Sequence, residues 1–193
     1  MNREILHQYI QALVPMTMDK LQRVVEDFEY IEFSKNDFIL KENKISKESF
    51  FLESGTVRSY TFDNSGEEVT TNFFFAPCFV NDFLSFFKQQ PTNENFQTLT
   101  TCKIWKIDFE KVQMNFHAYP EFREFGRMML VTNYAMLHAR MLGMIKDTAE
   151  IRYLKLMKQH PLVFQDVPLK IIASYLGITD TSLSRIRKEI TQK

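Results

Sequence analysis

The chain has 193 residues, 45% hydrophobic and 25% charged, ordinary globular values that exclude wholesale disorder. At ~150 residues per domain, this length falls between one domain and two. Lys+Arg and Asp+Glu both total 24, so the net charge of zero names no partner, and five Gly with six Pro exclude a collagen-like or linker-dominated chain.

Two cysteines, Cys78 and Cys102, are too few for a disulfide framework or a four-thiolate metal site, and both read as small hydrophobes. The glycines, at 55, 66, 126, 143 and 177, are too scattered for a GxGxxG turn or a P-loop. There is no GxSxG elbow and no HExxH helix. His7, His117, His138 and His160 lie at least twenty-one residues apart, which offers no local metal pair and leaves only sequence-distant arrangements open. The expectation is a protein that is not an enzyme, with no metal site and no cofactor. Charges interrupt the amino terminus where a signal peptide needs its apolar core, and no uncharged apolar run reaches the ~18 residues of a membrane span. A soluble, cytoplasmic protein is expected.

In chain order, Ile5, Tyr9 and Leu13, then Met18, Leu21, Val24 and Val25, predict one or two short helices broken near Pro15. From Tyr30 to Asp108 the pattern becomes short runs of aromatic and β-branched residues. Strands are predicted at 30–33, 38–42, 49–53, 56–62, 68–75, 96–101 and 103–107. Ser54-Gly55 and Asn64-Ser65-Gly66 read as hairpin turns between them. Fifteen of the nineteen Phe fall at or before Phe109, so a sandwich or barrel filled by phenylalanine is expected.

After Pro120 the period is helical. Leu130, Tyr134, Leu137, Met141 and Met144 step by four, three, four and three, the seam of a coiled coil. Phe122, Phe125, Met129 and Met136 form a second stripe. A helix over ~119–145 with two apolar stripes needs two surfaces, one the β domain and the other a second copy of itself. A homodimer is expected, the alternative being a helix buried within one chain. Asp147 with Glu150 reads as a capping pair for a further helix ending near His160-Pro161, and Val167-Pro168 opens another. Residues 148–193 carry a net charge of +4 and residues 1–147 a net −4, which separates an acidic part from a basic tail.

The stretch from Pro168 to Lys188 reads as helix, tight turn and helix. Ala173 permits a close crossing, and Gly177 suits the left-handed turn four residues on. Leu176, Ile178, Leu183 and Ile186 supply the core between the helices, and Thr179 the N-cap of the second. On that second helix Thr181, Ser184, Arg185 and Lys188 share the outward face. Short hydroxyls followed by cations suit a DNA major groove, with Arg185 forked on guanine and Ser182, Arg187 and Lys188 on phosphates. A solvated amphipathic helix is the plainer alternative.

These residues resemble the Crp/Fnr family of transcription regulators, the relatives of the cyclic-AMP receptor protein and the fumarate-nitrate reduction regulator. Leu52-Glu53-Ser54-Gly55-Thr56-Val57-Arg58 is similar to the family's β-roll signature, and Asp63 to Glu68 to the following hairpin. Ala149 to Tyr153 and Val167 to Lys188 are similar to its helix-turn-helix domain. The resemblance implies an α+β protein. A cyclic-nucleotide-binding-type, double-stranded β-roll (jelly-roll-like) over 1–118 would be followed by a dimerisation helix over 119–146. A helix-turn-helix DNA-binding domain without a carboxy-terminal wing would occupy 147–193. The implied partners are double-stranded DNA, a second copy of the chain, RNA polymerase and a small-molecule effector.

The cassette itself departs from the family pattern. Asn81-Asp82 stands where the resemblance calls for Gly-Glu, and no arginine occurs between Arg58 and Arg123 to neutralise a cyclic phosphate. Lys88 is the nearby cation and lacks the planar fork, while Glu94 would repel the phosphate. Cyclic AMP is therefore not the expected ligand. A pocket of Phe79, Asn81, Asp82, Phe83 and Phe86 would take a more apolar or cationic molecule, or be closed by its own side chains. The rival to a regulator is a ligand- or protein-binding module whose DNA binding is weak and mainly electrostatic.

Overall fold

The structure, a computed structural model, describes residues 3–161 and 163–191. Two helices open the chain, α1 (Glu4–Leu13) and α2 (Met18–Glu26), broken at Pro15 as the spacing predicts. Eight strands follow: β1 (Glu29–Phe33), β2 (Phe38–Leu40), β3 (Glu48–Ser54), β4 (Thr56–Phe62), β5 (Glu68–Phe75), β6 (Cys78–Val80), β7 (Asn95–Thr98) and β8 (Cys102–Asp108). They form two four-stranded antiparallel sheets, ordered β1-β8-β3-β6 and β2-β7-β4-β5. Short α3 (Phe83–Lys88) interrupts the strands between β6 and β7.

The sharp β3–β4 corner depends on Gly55. Its φ is +103°, and a β-carbon there would come within 2.6 Å of both Cys102 Sγ and the Thr101 carbonyl, so backbone freedom and close approach both require glycine. The other predicted turn, at Asn64-Ser65-Gly66, joins β4 to β5, with the Asp63 carboxylate accepting from the amides of Ser65 and Glu67.

Period-two alternation sends neighbouring side chains to different cores. On β3, Phe50 and Leu52 face the space between the sheets, with Val57, Phe74, Phe96 and Ile104. Phe51 faces the other way, into a cluster with Leu6, Ile10, Val24, Phe28, Phe79 and Trp105. The β3 sheet is thus covered on both faces, one by the second sheet and one by helices. That accounts for the phenylalanine load, since a sheet buried twice has few places for polar side chains. Cys102 lies in the inter-sheet cluster and Cys78 packs against it. Burial pushes both thiols up, that of Cys78 to about 12, so each behaves as a hydrophobe.

Four elements, β6, α3, α4 (Phe109–Ala118) and α7 (Val163–Asp166), have no counterpart among the predicted ones. The three-residue β6 is too short to show a period. The helix α4 carries Phe109, Val112 and Phe116 at offsets of three and seven, a helical signal that was present and unread. The long helix α5 (Pro120–Lys146) follows, with Phe122, Phe125 and Met129 buried in the helix-covered cluster. Met136 does not continue this stripe; it is 53% exposed.

The last third is helical: α6 (Ala149–Gln159), α7 (Val163–Asp166), α8 (Leu169–Leu176) and α9 (Asp180–Thr191). The α6 cap is Thr148, whose hydroxyl accepts from the Ile151 amide at 3.3 Å, and not the Asp147–Glu150 pair. Asp147 instead bonds Lys155 at 2.5 Å. Tyr153, Leu156, Ile172, Ala173, Leu176, Leu183 and Ile186 build a third cluster, which Phe73 and Leu99 of the roll complete. Among the described residues, no helix is long and apolar enough to cross a membrane.

Candidate functional sites: the cassette and the helix-turn-helix

The cassette is organised by α3. The Asp82 carboxylate accepts from the Ser85 amide at 3.0 Å and so caps the helix. The Ser85 hydroxyl donates to the Gln90 carbonyl at 2.7 Å and accepts from the Ser46 amide at 2.9 Å. The groups that would greet a ligand at this helix start are therefore bonded to their own chain. Nearby, the Glu94 carboxylate accepts from the Thr71 hydroxyl on β5, which is paired with Ser59 on β4 at 2.7 Å. Burial pushes the Glu94 carboxyl up, and the Asp82 carboxylate adds to the shift. Two carboxyls, Glu94 and Asp82, thus lie close enough to act on each other. Arg58 supplies no cation there: it alternates with Val57 and Ser59 on β4 and faces the opposite side. There it pairs with Glu68 at 2.7 Å, bonds Gln97 at 2.8 Å and lies over the Tyr60 ring.

Four of the five proposed pocket residues, Phe79, Asn81, Phe83 and Phe86, line one cavity with Phe125 and Met129 of α5. Asp82 is not among its lining residues. The cavity holds about 40 Å³, far below the ~300–1,000 Å³ of ordinary ligand pockets, though enough for water beside Asn81. The Asn81 Oδ1 atom is buried there without a partner. A second, polar cleft of about 330 Å³ lies between the β4–β5 hairpin and α8, lined by Arg58, Glu67, Glu68, Lys170 and Ser174. No local sequence pattern announced it, because its walls come from segments a hundred residues apart.

At the carboxy-terminal end, α8 stops at Gly177, whose φ is +65°, and the Ile178 amide returns to the Ala173 carbonyl at 3.0 Å. Thr179 Oγ1 accepts from the Ser182 amide at 3.3 Å and so starts α9. Leu183 and Ile186 are buried against α8, with Ile178 and Ile190 packed at the margin. Thr181, Ser184, Arg185 and Lys188 are exposed along the outward face, while Ser182 and Arg187 are half-buried at its flanks. Among the described residues Arg185 approaches Glu189, at 3.9 Å, with its side chain 75% exposed. On α5, Leu130, Tyr134, Leu137 and Met141 are exposed on one stripe, and His138 stacks on Tyr134. Met144 is 41% exposed, but its methyl rests against Gly177.

The unit docks on the roll. Ser174 accepts from the Thr70 amide at 2.8 Å and donates to the Glu68 carbonyl at 3.0 Å. Tyr175 packs on Phe73 at 4.7 Å, and His160 stacks on Phe75 at 4.1 Å. Two arginines close the carboxy-terminal end of α8, Arg140 on the Tyr175 carbonyl and Arg152 on that of Leu176. The sequence reading missed both, and no local signal marks them.

Residues 30–118 match the family model of the cyclic nucleotide-binding domain. In structure the chain is similar to CLP, the c-di-GMP responsive global regulator of Xanthomonas campestris. Identity is 14% and the TM-score 0.71, over 91% of this chain and 92% of that one. It is similar also to FixK2 from Bradyrhizobium japonicum, at 14% identity and a TM-score of 0.72, over 86% and 85%. The Thermus thermophilus catabolite activator protein follows at 13% identity and 0.57, over 92% and 84%. The chain has the Crp/Fnr fold. A comparison with curated proteins gave no match. In this chain the cyclic nucleotide-binding domain is followed by the helices α5 to α9.

Proposed function

We propose that the chain is a homodimeric transcription regulator that reads double-stranded DNA with α9. One observation carries this: Thr181, Ser184, Arg185 and Lys188 form an exposed outward face while Leu183 and Ile186 are buried behind it. An exposed helix of this kind fits a major groove, with Arg185 forked on a guanine edge and Ser182, Arg187 and Lys188 meeting phosphates. The exposed stripe Leu130, Tyr134, Leu137 and Met141, with Met144 at its end, supports pairing with a second copy along α5. A two-fold dimer would set its α9 helices ~34 Å apart, on successive major grooves of a palindromic site. We divide the chain accordingly into a roll over 1–118, a dimer helix over 119–146 and a DNA-binding unit over 147–193.

The cassette argues for regulation without cyclic AMP. Glu94 and Asp82 would repel a phosphate, and the polar groups at the start of α3 are bonded to their own chain. Such a protein would bind its operator unliganded, and an apolar or cationic effector, or RNA polymerase, would act on that bound dimer.

The test is selection from random duplex DNA by the full chain at near-physiological salt, followed by anisotropy with the selected duplex. Specific binding, with Arg185→Ala losing the ~1–3 kcal/mol of a bidentate base contact, is the expected result. Binding that falls steeply with salt and enriches no sequence would overturn it.

A further inference from the structure

The helix expected to pair with a second copy also holds the DNA-binding unit. Arg140, half-buried on α5, donates from one guanidinium nitrogen to the Thr70 carbonyl on β5 at 3.3 Å and to the Tyr175 carbonyl at the end of α8 at 3.2 Å. Its guanidinium carbon lies 3.8 Å from the centre of the Tyr175 ring. One side chain therefore joins the three parts of the molecule: roll, long helix and helix-turn-helix. Four residues on, and so on the same face of α5, Met144 contacts Gly177 in the turn itself. Tyr175 also packs against Phe73 of β5.

The chemistry suits the place. The last carbonyls of a helix have no partner within it and carry the negative end of its dipole. A guanidinium there satisfies an orphan acceptor and meets a favourable charge, while its flat face stacks on the tyrosine ring. Arg152 does the same for the next carbonyl, Leu176, and is itself tied to the Asp147 carbonyl at 2.7 Å. The end of α8 is thus held from two helices, and of these two arginines Arg140 also bonds the roll.

We propose that Arg140 is a positioning residue for DNA recognition: it sets the angle of α9 relative to the long helix and the roll, and so to the two-fold partner. This rests on the reading of α9 as the DNA-contacting helix. Two recognition helices read a palindrome only if their separation is set before binding; a pair that swings must lose that freedom on the operator. Contacts to single phosphates make no such demand, so non-specific binding is indifferent to the clamp.

Arg140→Ala and Arg140→Lys are compared with the unsubstituted full chain, using the duplex chosen by selection and a scrambled duplex. Arg140→Ala should lose at least tenfold in affinity for the selected duplex and stay within twofold on the scrambled one. Arg140→Lys, which keeps the charge but not the fork or the stacking, should fall between. Small-angle scattering without DNA should show a larger radius of gyration for the alanine variant at a temperature where circular dichroism reports full helix content. A lowered thermal midpoint with unchanged affinity ratio and scattering would mean a structural role only and overturn the proposal. Tighter operator binding would overturn it as well, since the clamp would then be restraining α9. If no sequence is selected, the regulator reading fails, and the scattering result still decides whether Arg140 holds the unit in place.

Discussion

The methyl of Met144, on the last turn of α5, lies 2.6 Å from the point where a β-carbon on Gly177 would stand. A residue read from its heptad position as part of a dimer seam thus also touches the turn between α8 and α9. The methionine end can yield, but the backbone cannot: at φ +65° any residue with a β-carbon is strained. Gly177→Ala is expected to cost ~1–2 kcal/mol of stability, measured by urea unfolding. Met144→Leu combined with it should recover little, because the strain is in the turn.

Glu94 gives the roll a pH dependence of definite sign. Its carboxyl titrates above the ordinary 4.5 in the folded state because burial disfavours the charged form. The folded protein therefore holds this proton more tightly than the unfolded chain. Stability from this group falls as pH rises from about 4.5 through the folded value, then stays level. Glu94→Gln keeps an acceptor for Thr71 and removes the titration. The variant should be more stable than the parent at neutral pH, with the difference closing below about pH 4.5, as read by thermal midpoints across pH 4 to 8.

Leu137 is 58% exposed at the middle of the α5 stripe, where it makes little contribution to the fold of one copy. In a coiled-coil seam a charge at this place would be desolvated against its own copy. Leu137→Glu is expected to give a folded monomer by sedimentation, with circular dichroism unchanged, and to lose operator binding in parallel.

Asp82 is read from the structure as a helix cap. Asp82→Asn should be nearly neutral, since asparagine caps as well, while Asp82→Ala should cost about 1 kcal/mol in urea unfolding. A ligand-contacting role would instead make both changes silent for stability.

The strands and the helix-turn-helix were legible because each carries its signal within a few residues. Alternation with turns at Gly55 and Gly66 marks β3, β4 and β5; the Ala173–Gly177 spacing with Thr179 marks α8, the turn and α9. The cassette was legible for what it lacks, a cation, but not for what its carboxyls do. Asp82 bonds an amide three residues away, and Glu94 a hydroxyl twenty-three residues earlier.

What the sequence determined by itself was the kind of each segment: periods of two and of 3.5 residues, the two punctuating glycines, and an outward stripe of hydroxyls and cations on α9. What only the tertiary structure decided was the partner of each face. Phe73, Phe74 and Phe75 are three identical neighbours, yet Phe74 fills the space between the sheets while Phe73 and Phe75 receive the helix-turn-helix unit. Arg140 looks like any solvated arginine on a long helix until the ends of α8 and β5 are brought beside it. Periodicity says that a face is apolar or charged, because it reflects the local geometry of one element. Which surface covers that face depends on contacts between residues far apart in the chain, and these exist only after folding.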